Sequence, residues 1–320
     1  MKEKIIIDTD PGIDDAMAIF FASQSPNLDL IGLTTVFGNV PVEMSTDNAI
    51  RLCDILKKDI PVCTGAGKPY GGDVEPSFAH FVHGDNGLGN IELPPPSRQE
   101  DPRSAAEFII EMAKKYPGEV TLVAVGPLTN VAHALDLEPE LPNLLKRVVV
   151  MGGAARVKGN VSPVAEANIW NDPYGAEKVF ATEYAKPLTL IGLDVTYAVS
   201  FSVEFNDKLE QLNPVIGSFM NKAAKFYTKF YSEVFQNAKE PVCYFHDALA
   251  IAHIINPDIF QYQDGYIRVS KDELCYGQTS FEGTDNPMPN PAWSSQPIVS
   301  AALKVNDDKV RDLIQEAYSL

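Results

Sequence analysis

The stretch Ile5–Asp15, which reads IIIDTDPGIDD, constrains the fold of this 320-residue chain more than any other part of it. Its three consecutive isoleucines are typical of a strand that is buried on both faces, because β-branched side chains favour extended backbone. The segment Asp8–Gly12 ends that strand, and Ile13–Phe21 has the composition of a helix. The sequence therefore predicts a buried strand, an acidic turn and a helix in direct succession.

Four carboxylates fall within this stretch, at Asp8, Asp10, Asp14 and Asp15. Open α/β sheets bind their ligands at the carboxyl ends of strands, and carboxylates crowded there repel one another unless a cation lies among them. Oxygen ligands without Cys or His beside them favour Ca²⁺ or Mg²⁺ over zinc. The alternative is a helix whose first turn carries acids only because its exposed amides and its dipole favour negative charge.

Apolar runs alternate with helical patterns along the rest of the chain. The predicted strands lie at Leu28–Val36, Pro61–Thr64, Val120–Val125, Arg147–Met151, Pro187–Asp194, Gly265–Val269 and Pro297–Val305. The predicted helices lie at Pro41–Lys58, Arg103–Lys115 and 202–236. Further helices are predicted to begin after Gly126, after Asp172 and near Asp307, and another is predicted to end at about Ile255. This alternation predicts parallel strands joined by right-handed crossovers, with helices on both faces of the sheet. We predict one large α/β domain that covers residues 1–320.

Charge and composition narrow the function classes. The chain carries 43 acidic and 26 basic residues, a net charge of −17, and this field repels polyanions. We therefore expect no nucleic acid partner and a neutral small molecule as the ligand. No apolar run reaches membrane-spanning length and no signal-peptide hydrophobic region follows the N-terminal MKEK, so we expect a soluble cytoplasmic protein without a membrane partner. The scattered cysteines, which predict buried free thiols, are Cys53, Cys63, Cys243 and Cys275.

Two polar segments outside the predicted elements are candidate binding loops. The segment His83–Gly87 offers His, Asp and Asn on a flexible backbone, and its alternative interpretation is a surface turn. The segment that follows Gly153 and runs to Asp172 is long for a compact domain, and Trp170 indicates that it is held against the protein. We predict that this second segment is a binding loop. Its polar residues include Asn160, Glu166 and Asn168.

The later part of the chain offers an aromatic stripe and an isolated His-Asp pair. Aromatic residues recur at helical spacing between Phe219 and Phe235, and core packing explains such a stripe. Tyr227 and Tyr231 stand four residues apart, however, and could present one face to a ligand. His246-Asp247 comes directly before an apolar helix, where Asp247 is either a ligand-binding residue or an N-cap.

Together these pieces favour metal-assisted chemistry on a hydroxyl-rich substrate. A cation held by Asp10, Asp15 and Asp247 would polarise a bound water, and a neighbouring carboxylate could take its proton. Asn and Glu side chains suit sugar hydroxyls, because each hydroxyl both donates and accepts hydrogen bonds.

The chain resembles the inosine-uridine preferring nucleoside hydrolases, which cleave the N-glycosidic bond of nucleosides to a free base and ribose. The motifs that carry the resemblance are DTDPGIDDA at Asp8–Ala16, GN at Gly38–Asn39, HG at His83–Gly84, GPLTN at Gly126–Asn130, MGG at Met151–Gly153, GNVSPVAEAN at Gly159–Asn168 and HDA at His246–Ala248. The resemblance implies a Rossmann-like, mostly parallel central sheet, a Ca²⁺ ion and a ribonucleoside substrate such as inosine, uridine or cytidine. We also expect a homo-oligomer, either a dimer or a tetramer.

The resemblance also implies roles for individual residues. It implies that Asp10 is both a calcium ligand and the general base, and that His246 is the general acid or only orients the leaving base. The other implied calcium ligands are Asp15, Asp247 and the Val125 carbonyl. The implied ribose-binding residues are Asp14, Asn39, Asn160, Glu166 and Asn168, and the implied base-side residues are His83, Tyr227 and Tyr231. Ala167 departs from the family, many members of which carry Phe there, so base preference does not carry over.

Two other functions compete with this interpretation. A strand followed by DTD also resembles haloacid-dehalogenase-type phosphatases, in which Asp8 would attack phosphate beside Mg²⁺. That chemistry needs a downstream lysine and a later acidic pair, whereas Asp14 and Asp15 follow the first motif at once. The second alternative is a catalytically silent protein that binds a nucleoside or ribose.

Overall fold

One mixed sheet of nine strands runs through the molecule. The computed structural model describes residues 2–71, 75–234, 240–288 and 290–320, and every structural statement refers to these residues. A separate ribbon is formed by β7 and β8. The strands are β1 (Glu3–Thr9), β2 (Leu28–Thr35), β3 (Val62–Thr64), β4 (Val120–Ala124), β5 (Arg147–Met151), β6 (Leu188–Ile191), β7 (Phe201–Ser202), β8 (Val242–Cys243), β9 (Phe260–Val269), β10 (Thr279–Gly283) and β11 (Val299–Val305).

Helices cover both faces of the sheet. They are α1 (Ile13–Gln24), α2 (Val42–Leu56), α3 (His80–His83), α4 (Ala105–Lys115), α5 (Thr129–Leu137), α6 (Leu141–Leu144), α7 (Ala167–Asn171), α8 (Pro173–Phe180), α9 (Leu193–Thr196), α10 (Val203–Leu212), α11 (Ile216–Val234), α12 (Ala248–Ile255), α13 (Pro291–Ser294) and α14 (Asp307–Tyr318). Short 3₁₀ turns occur at Pro257–Ile259 and Glu273–Cys275.

The strand order places β1 at the point where the chain reverses its direction across the sheet. The order is β10-β9-β11-β6-β5-β4-β1-β2-β3, and the seven strands from β11 to β3 pair in parallel. The chain leaves β1 toward β2 and β3 on one side and then returns to β4 on the other side. Such a switch point opens a crevice beyond the carboxyl ends of the two central strands, where open α/β sheets bind ligands. The acidic turn after β1 lies at this crevice.

The isoleucines of β1 pack into both apolar cores, one on each face of the sheet. Ile5 and Ile7 pack into the core that α1, α11, α12 and α14 cover, whereas Ile6 packs into the core on the other face, with Phe108 of α4. All three isoleucines are fully buried. Because successive side chains of a strand point to opposite faces, a three-residue apolar run serves both cores at once.

The predicted fold class is confirmed: the chain forms a single-domain α/β fold with a large, mostly parallel central sheet. Several element boundaries differ from the prediction. The region 202–236 contains two helices, because Pro214 lacks the N–H that a continuous helix requires. Its last residues, 235 and 236, with Phe235 of the aromatic stripe, lie outside the described residues. The predicted strand Pro187–Asp194 ends at Ile191 and gives way to α9.

Other differences concern the edge of the sheet and the cysteines. The edge strand β10, which pairs antiparallel with β9, was not predicted, since Thr279–Gly283 has only one apolar side chain among its five residues. Cys53, Cys63 and Cys243 are buried free thiols as predicted, but Cys275 is only half-buried. No described helix combines the length and the apolar character needed to cross a membrane.

We predict that Gly32→Ala destabilises the protein through a collision with Phe108. A Cβ atom at Gly32 would lie 2.3 Å from Cε1 and Cζ of the buried Phe108 ring. Overpacking of this kind costs about 1–3 kcal/mol of unfolding free energy, which urea denaturation measures. The added variant Phe108→Leu removes the colliding ring atoms, so the double variant should lose at least about 0.5 kcal/mol less than the sum of the single losses. Strict additivity would contradict this account of the packing.

Candidate active site and metal centre

Asp15, in the first turn of α1, accepts four hydrogen bonds. Thr9 Oγ1 donates to Asp15 Oδ1 over 2.5 Å, and the backbone N–H of Asp10 donates to the same oxygen over 3.2 Å. The backbone N–H of Gly12 and the Asn39 amide donate to Oδ2 over 2.9 and 3.1 Å. Burial raises the pKa of Asp15, and the hydrogen bonds from Thr9 and Gly12 oppose that rise. The carboxylate is thus held in one orientation by the turn that carries it.

Asp10 lies in a space that two glycines leave open. Its Oδ2 accepts the backbone N–H of Asn39 over 2.6 Å, whereas its buried Oδ1 has no hydrogen-bond partner within the described chain. A Cβ atom at Gly38 would lie 2.0 Å from Asp10 Oδ2, and one at Gly126 would lie 2.7 Å from Oδ1. The glycines of the GN and GPLTN motifs therefore make room for this carboxylate.

Three buried carboxylates converge close enough to hold one metal ion. Asp14, Asp15 and Asp247 each offer an oxygen that lies within 4.8 Å of the other two. Burial raises the pKa of Asp14 and Asp247 well above the ordinary value, and neighbouring carboxylates raise both further. Asp14 Oδ1 has no hydrogen-bond partner in the described part of the protein. A buried set of oxygen ligands with an unpartnered oxygen suits a hard divalent cation.

The interpretation of Asp247 as a mere N-cap is wrong, because this residue precedes α12 without accepting a capping hydrogen bond through its side chain. Its carboxylate instead faces the acidic cluster. Burial is the largest cause of its raised pKa, and the charges of Asp14, Asp15 and Asp10 raise that pKa further. The cluster groups Asp14 with Asp15 and Asp247, and Asp10 lies beside it. The predicted ligand set of Asp10, Asp15, Val125 and Asp247 stays a prediction.

The binding loop supplies a polar wall above the cluster. Glu166 begins α7 and accepts backbone N–H groups of Gly153 over 2.8 Å and of Asn168 over 3.0 Å. The Asn168 amide donates to the carbonyl of Val125 over 2.8 Å, which ties the loop to the end of β4. Asn160 Oδ1 accepts the N–H of Ala167 over 3.0 Å. These three polar side chains are therefore placed by backbone contacts before any ligand arrives.

Aromatic and imidazole rings form the opposite wall. His83 lies in the one-turn helix α3 rather than in the flexible loop that the sequence predicts, and its Nδ1 accepts the backbone N–H of Ile13 over 3.1 Å. Its ring lies 5.2 Å from that of Tyr227, whose hydroxyl donates to Asp14 Oδ2 over 3.3 Å. His246 Nε2 lies 2.8 Å from the Tyr231 hydroxyl. Burial lowers the pKa of both histidines to about 3, so both rings are neutral near pH 7.

A cavity of about 430 Å³ lies between the two walls. Asp10 and Asp15 are 1% and 0% exposed and lie outside its surface, but Asn39, which donates to both, lines it. The structure thus gathers all thirteen predicted site residues around one cavity, although their roles stay predictions. Those that line it are Asp14, Asn39, His83, Val125, Asn160, Glu166, Asn168, Tyr227, Tyr231, His246 and Asp247.

The sequence interpretation missed several residues of this site. Thr9 orients Asp15, Thr196 contacts His246, and Tyr197 lines the cavity. Thr196 and Tyr197 follow β6, so the rule that strand ends carry ligands could have found them. Phe81, with 72% of its surface exposed, borders the cavity, but a lone aromatic residue gives no signal in a sequence. Phe230 also borders the cavity and belongs to the aromatic stripe for which the sequence favours core packing.

Asp8 does not have the position that a phosphatase nucleophile requires. Its Oδ1 accepts hydrogen bonds from the Thr34 hydroxyl over 2.5 Å and from the Asn130 amide over 2.8 Å. The side chain is fully buried and is not part of the cavity lining. The phosphatase alternative would therefore use a carboxylate that already binds Thr34 and Asn130.

Comparisons with known proteins agree with this geometry. The family model "Inosine-uridine preferring nucleoside hydrolase" matches residues 5–312. The chain is 40% identical to uridine nucleosidase 1 of Arabidopsis thaliana over 98% of its own length and 92% of that protein. It is 36% identical to the pyrimidine-specific ribonucleoside hydrolase RihB of Escherichia coli O157:H7 over 87% of both.

Solved structures extend the likeness to the whole fold. A plant nucleoside hydrolase superposes with a TM-score of 0.94 at 36% identity, over 100% of this chain and 99% of that one. A purine-preferring ribonucleoside hydrolase from Gardnerella vaginalis superposes with a TM-score of 0.89 at 31% identity, over 99% of both chains. The chain therefore belongs to the inosine-uridine preferring nucleoside hydrolase family, and it is an enzyme that hydrolyses ribonucleosides.

Proposed function

We propose that this enzyme uses Ca²⁺ to hydrolyse the N-glycosidic bond of uridine and related ribonucleosides, including cytidine and inosine, to a free base and ribose. The observation that carries the proposal is the buried cluster of Asp14, Asp15 and Asp247 below a cavity with a wall of amide and carboxylate groups. One end of that cavity suits a cation and vicinal hydroxyls, and the other presents rings to a planar base.

The donor set fits calcium. Every member of the cluster is a carboxylate, and the unpartnered Oδ1 atoms of Asp10 and Asp14 leave acceptor capacity that a cation would use. Asp10, Asp15, Asp247 and the Val125 carbonyl are the proposed ligands. Asp14 also places an oxygen within 4.8 Å of oxygens of Asp15 and Asp247. When bound, the ion supplies a Lewis acid that polarises the attacking water and the sugar hydroxyls.

The remaining residues divide the work between sugar and base. Loss of the base leaves positive charge on the sugar ring, and buried carboxylates on the cation side stabilise that charge. Asp10 accepts the proton of the attacking water through its carboxylate, which the N–H of Asn39 holds in place. The proposed ribose contacts are Asp14, Asn39, Asn160, Glu166 and Asn168.

His246, Tyr231 and His83 face the base from the other wall. A neutral imidazole carries one N–H, so His246 can donate a hydrogen bond to the departing base or to a hydroxyl beside it. Tyr227 and Tyr231 supply aromatic surface on the base side, whereas Ala167 leaves the loop side without a ring. We propose uridine as a substrate because the Arabidopsis relative is named for it. Assembly as a homodimer or homotetramer and a cytoplasmic location stay predictions from the sequence.

We expect removal of divalent cations to abolish ribose release and added Ca²⁺ to restore it. A ligand that binds only the folded state at 100 times its dissociation constant adds about 2.7 kcal/mol of stability, so Ca²⁺ should also raise the melting temperature. Asp247→Asn should lose both responses, while the exposed control Asp59→Asn, whose side chain is 93% exposed, should keep them. Full activity in protein shown by elemental analysis to be free of metal would refute the calcium proposal.

Asp10→Asn should lower kcat by at least about 10²-fold while the fold stays intact, because an amide cannot accept the proton of the attacking water. Circular dichroism and ribose release measure the two effects. Asp8→Asn is the matched control, since Asp8 is equally buried at the end of β1 but contacts Thr34 and Asn130 instead of the acidic cluster. Burial raises the pKa of Asp8 to about 7, so a neutral side chain there should cost only a few-fold. Equal losses in both variants would argue against Asp10 as the base.

A 2′-deoxyribonucleoside should be a poor substrate. Without the 2′-hydroxyl, buried polar groups of the ribose wall stay unpaired, and a site built for a hydroxyl rejects the analogue that lacks it. We expect kcat/KM for 2′-deoxyuridine to be at least about 10²-fold below that for uridine in a parallel assay. Comparable values for the two substrates would show that the polar wall does not bind the 2′-hydroxyl.

A further inference from the structure

The ring of His246 is held at both nitrogens. Thr196 Oγ1 lies 2.8 Å from Nδ1, and the Tyr231 hydroxyl lies 2.8 Å from Nε2. The rings of Tyr197 and Tyr244 pack on the imidazole, with centroids 5.0 and 6.1 Å away. Nε2 meets Tyr231, which lines the cavity, whereas Nδ1 meets Thr196, which does not. The contact at Nδ1 therefore holds the ring from the side that faces away from the substrate.

Thr196 lies on a rigid support. It ends the short helix α9, which follows β6, and it is fully buried. The backbone N–H of Leu193 donates to the Gly153 carbonyl over 2.9 Å. Asp194 accepts the N–H groups of Ala155 and Arg156, each over 2.8 Å. The loop that carries the MGG motif therefore fixes α9, and α9 fixes the hydroxyl beside His246.

The hydroxyls on the other side of the ring set the direction of the hydrogen bonds. Tyr227 donates to the carboxylate of Asp14, and Tyr231 donates to the Tyr227 hydroxyl over 3.4 Å. Of the two neutral tautomers of His246, the one with its hydrogen on Nε2 fits this arrangement, because a phenol has only one hydrogen to donate. In that tautomer Nδ1 accepts a hydrogen bond from Thr196. The same run of contacts joins the acidic cluster to the histidine on the base side.

We propose that Thr196 is a positioning residue: its hydroxyl donates to Nδ1 of His246 and keeps the Nε2–H edge of the imidazole directed at Tyr231 and the leaving base. The inference deepens the proposed function and rests on it. Thr196 itself is not part of the cavity lining, so it acts through the histidine and does not touch the substrate.

The test compares Thr196→Val with Thr196→Ser on two substrates. Valine keeps the branched shape and removes the hydroxyl, whereas serine keeps the hydroxyl. With uridine, Thr196→Val should lower kcat at least about tenfold and should change KM less than about twofold. A positioned proton donor contributes about 10²–10⁴-fold to the rate, and the variant should lose part of that contribution. With p-nitrophenyl riboside, which releases a stable anion without help from a proton donor, the loss should be less than about threefold. Thr196→Ser should restore most of the uridine activity.

Two controls separate positioning from structure. Thr189→Val, at a buried threonine of the preceding strand β6, should leave the kinetics of both substrates unchanged. Added to His246→Ala, the change Thr196→Val should cause no further loss with uridine. Equal losses on both substrates, a Thr196→Ser variant as impaired as Thr196→Val, or an unaffected Thr196→Val would each overturn the inference. A wild-type protein that releases ribose from no ribonucleoside would instead overturn the proposed function.

Discussion

Mutual repulsion among buried carboxylates is the constraint on which the rest of this structure depends. Asp10, Asp14, Asp15 and Asp247 are buried close together, and the charges of Asp10, Asp14 and Asp15 each raise the pKa of at least one other member of the group. Ionised groups in such a place are costly unless an opposite charge joins them. The fold concentrates the acids at one point, and a metal ion bound there would offset the cost.

The sheet topology decides where that point lies. The switch between β1 and β4 leaves a crevice at their carboxyl ends, and the parallel register brings Asp8 beside Ala124, so that Asp10 and Val125 follow at the same edge. Gly38 and Gly126 come from the ends of neighbouring segments and keep side chains away from Asp10. Motifs that are far apart in the sequence thus surround the Asp10 carboxylate, and their glycines place no side chain against it.

Much of this could be predicted from the sequence, because its strongest signals are local. The isoleucine run, the acidic turn and the alternation of elements specify the parallel sheet, and the rule that strand ends meet at one edge gathers most of the site. Contacts that depend on tertiary packing could not be predicted. Neither the pairing of Thr196 with His246 nor the orientation of Asp15 by Thr9 leaves a spacing signal, and β10 has too few apolar residues to stand out.

The two walls of the cavity differ in how firmly the fold holds them, and this difference bears on specificity. Glu166 and Asn168 are fixed by backbone groups of the sheet edge, so their geometry changes only if the sheet changes. The base side instead depends on side chains of α11 and of the one-turn helix α3, where Phe81 is mostly exposed. Substitutions there that keep the Tyr227–Asp14 hydrogen bond would alter the surface proposed to meet a base and leave the acids in place. With the proposed roles of the two walls, such a fold would keep ribose recognition constant while base preference changes, and relatives are named for pyrimidine and for purine nucleosides.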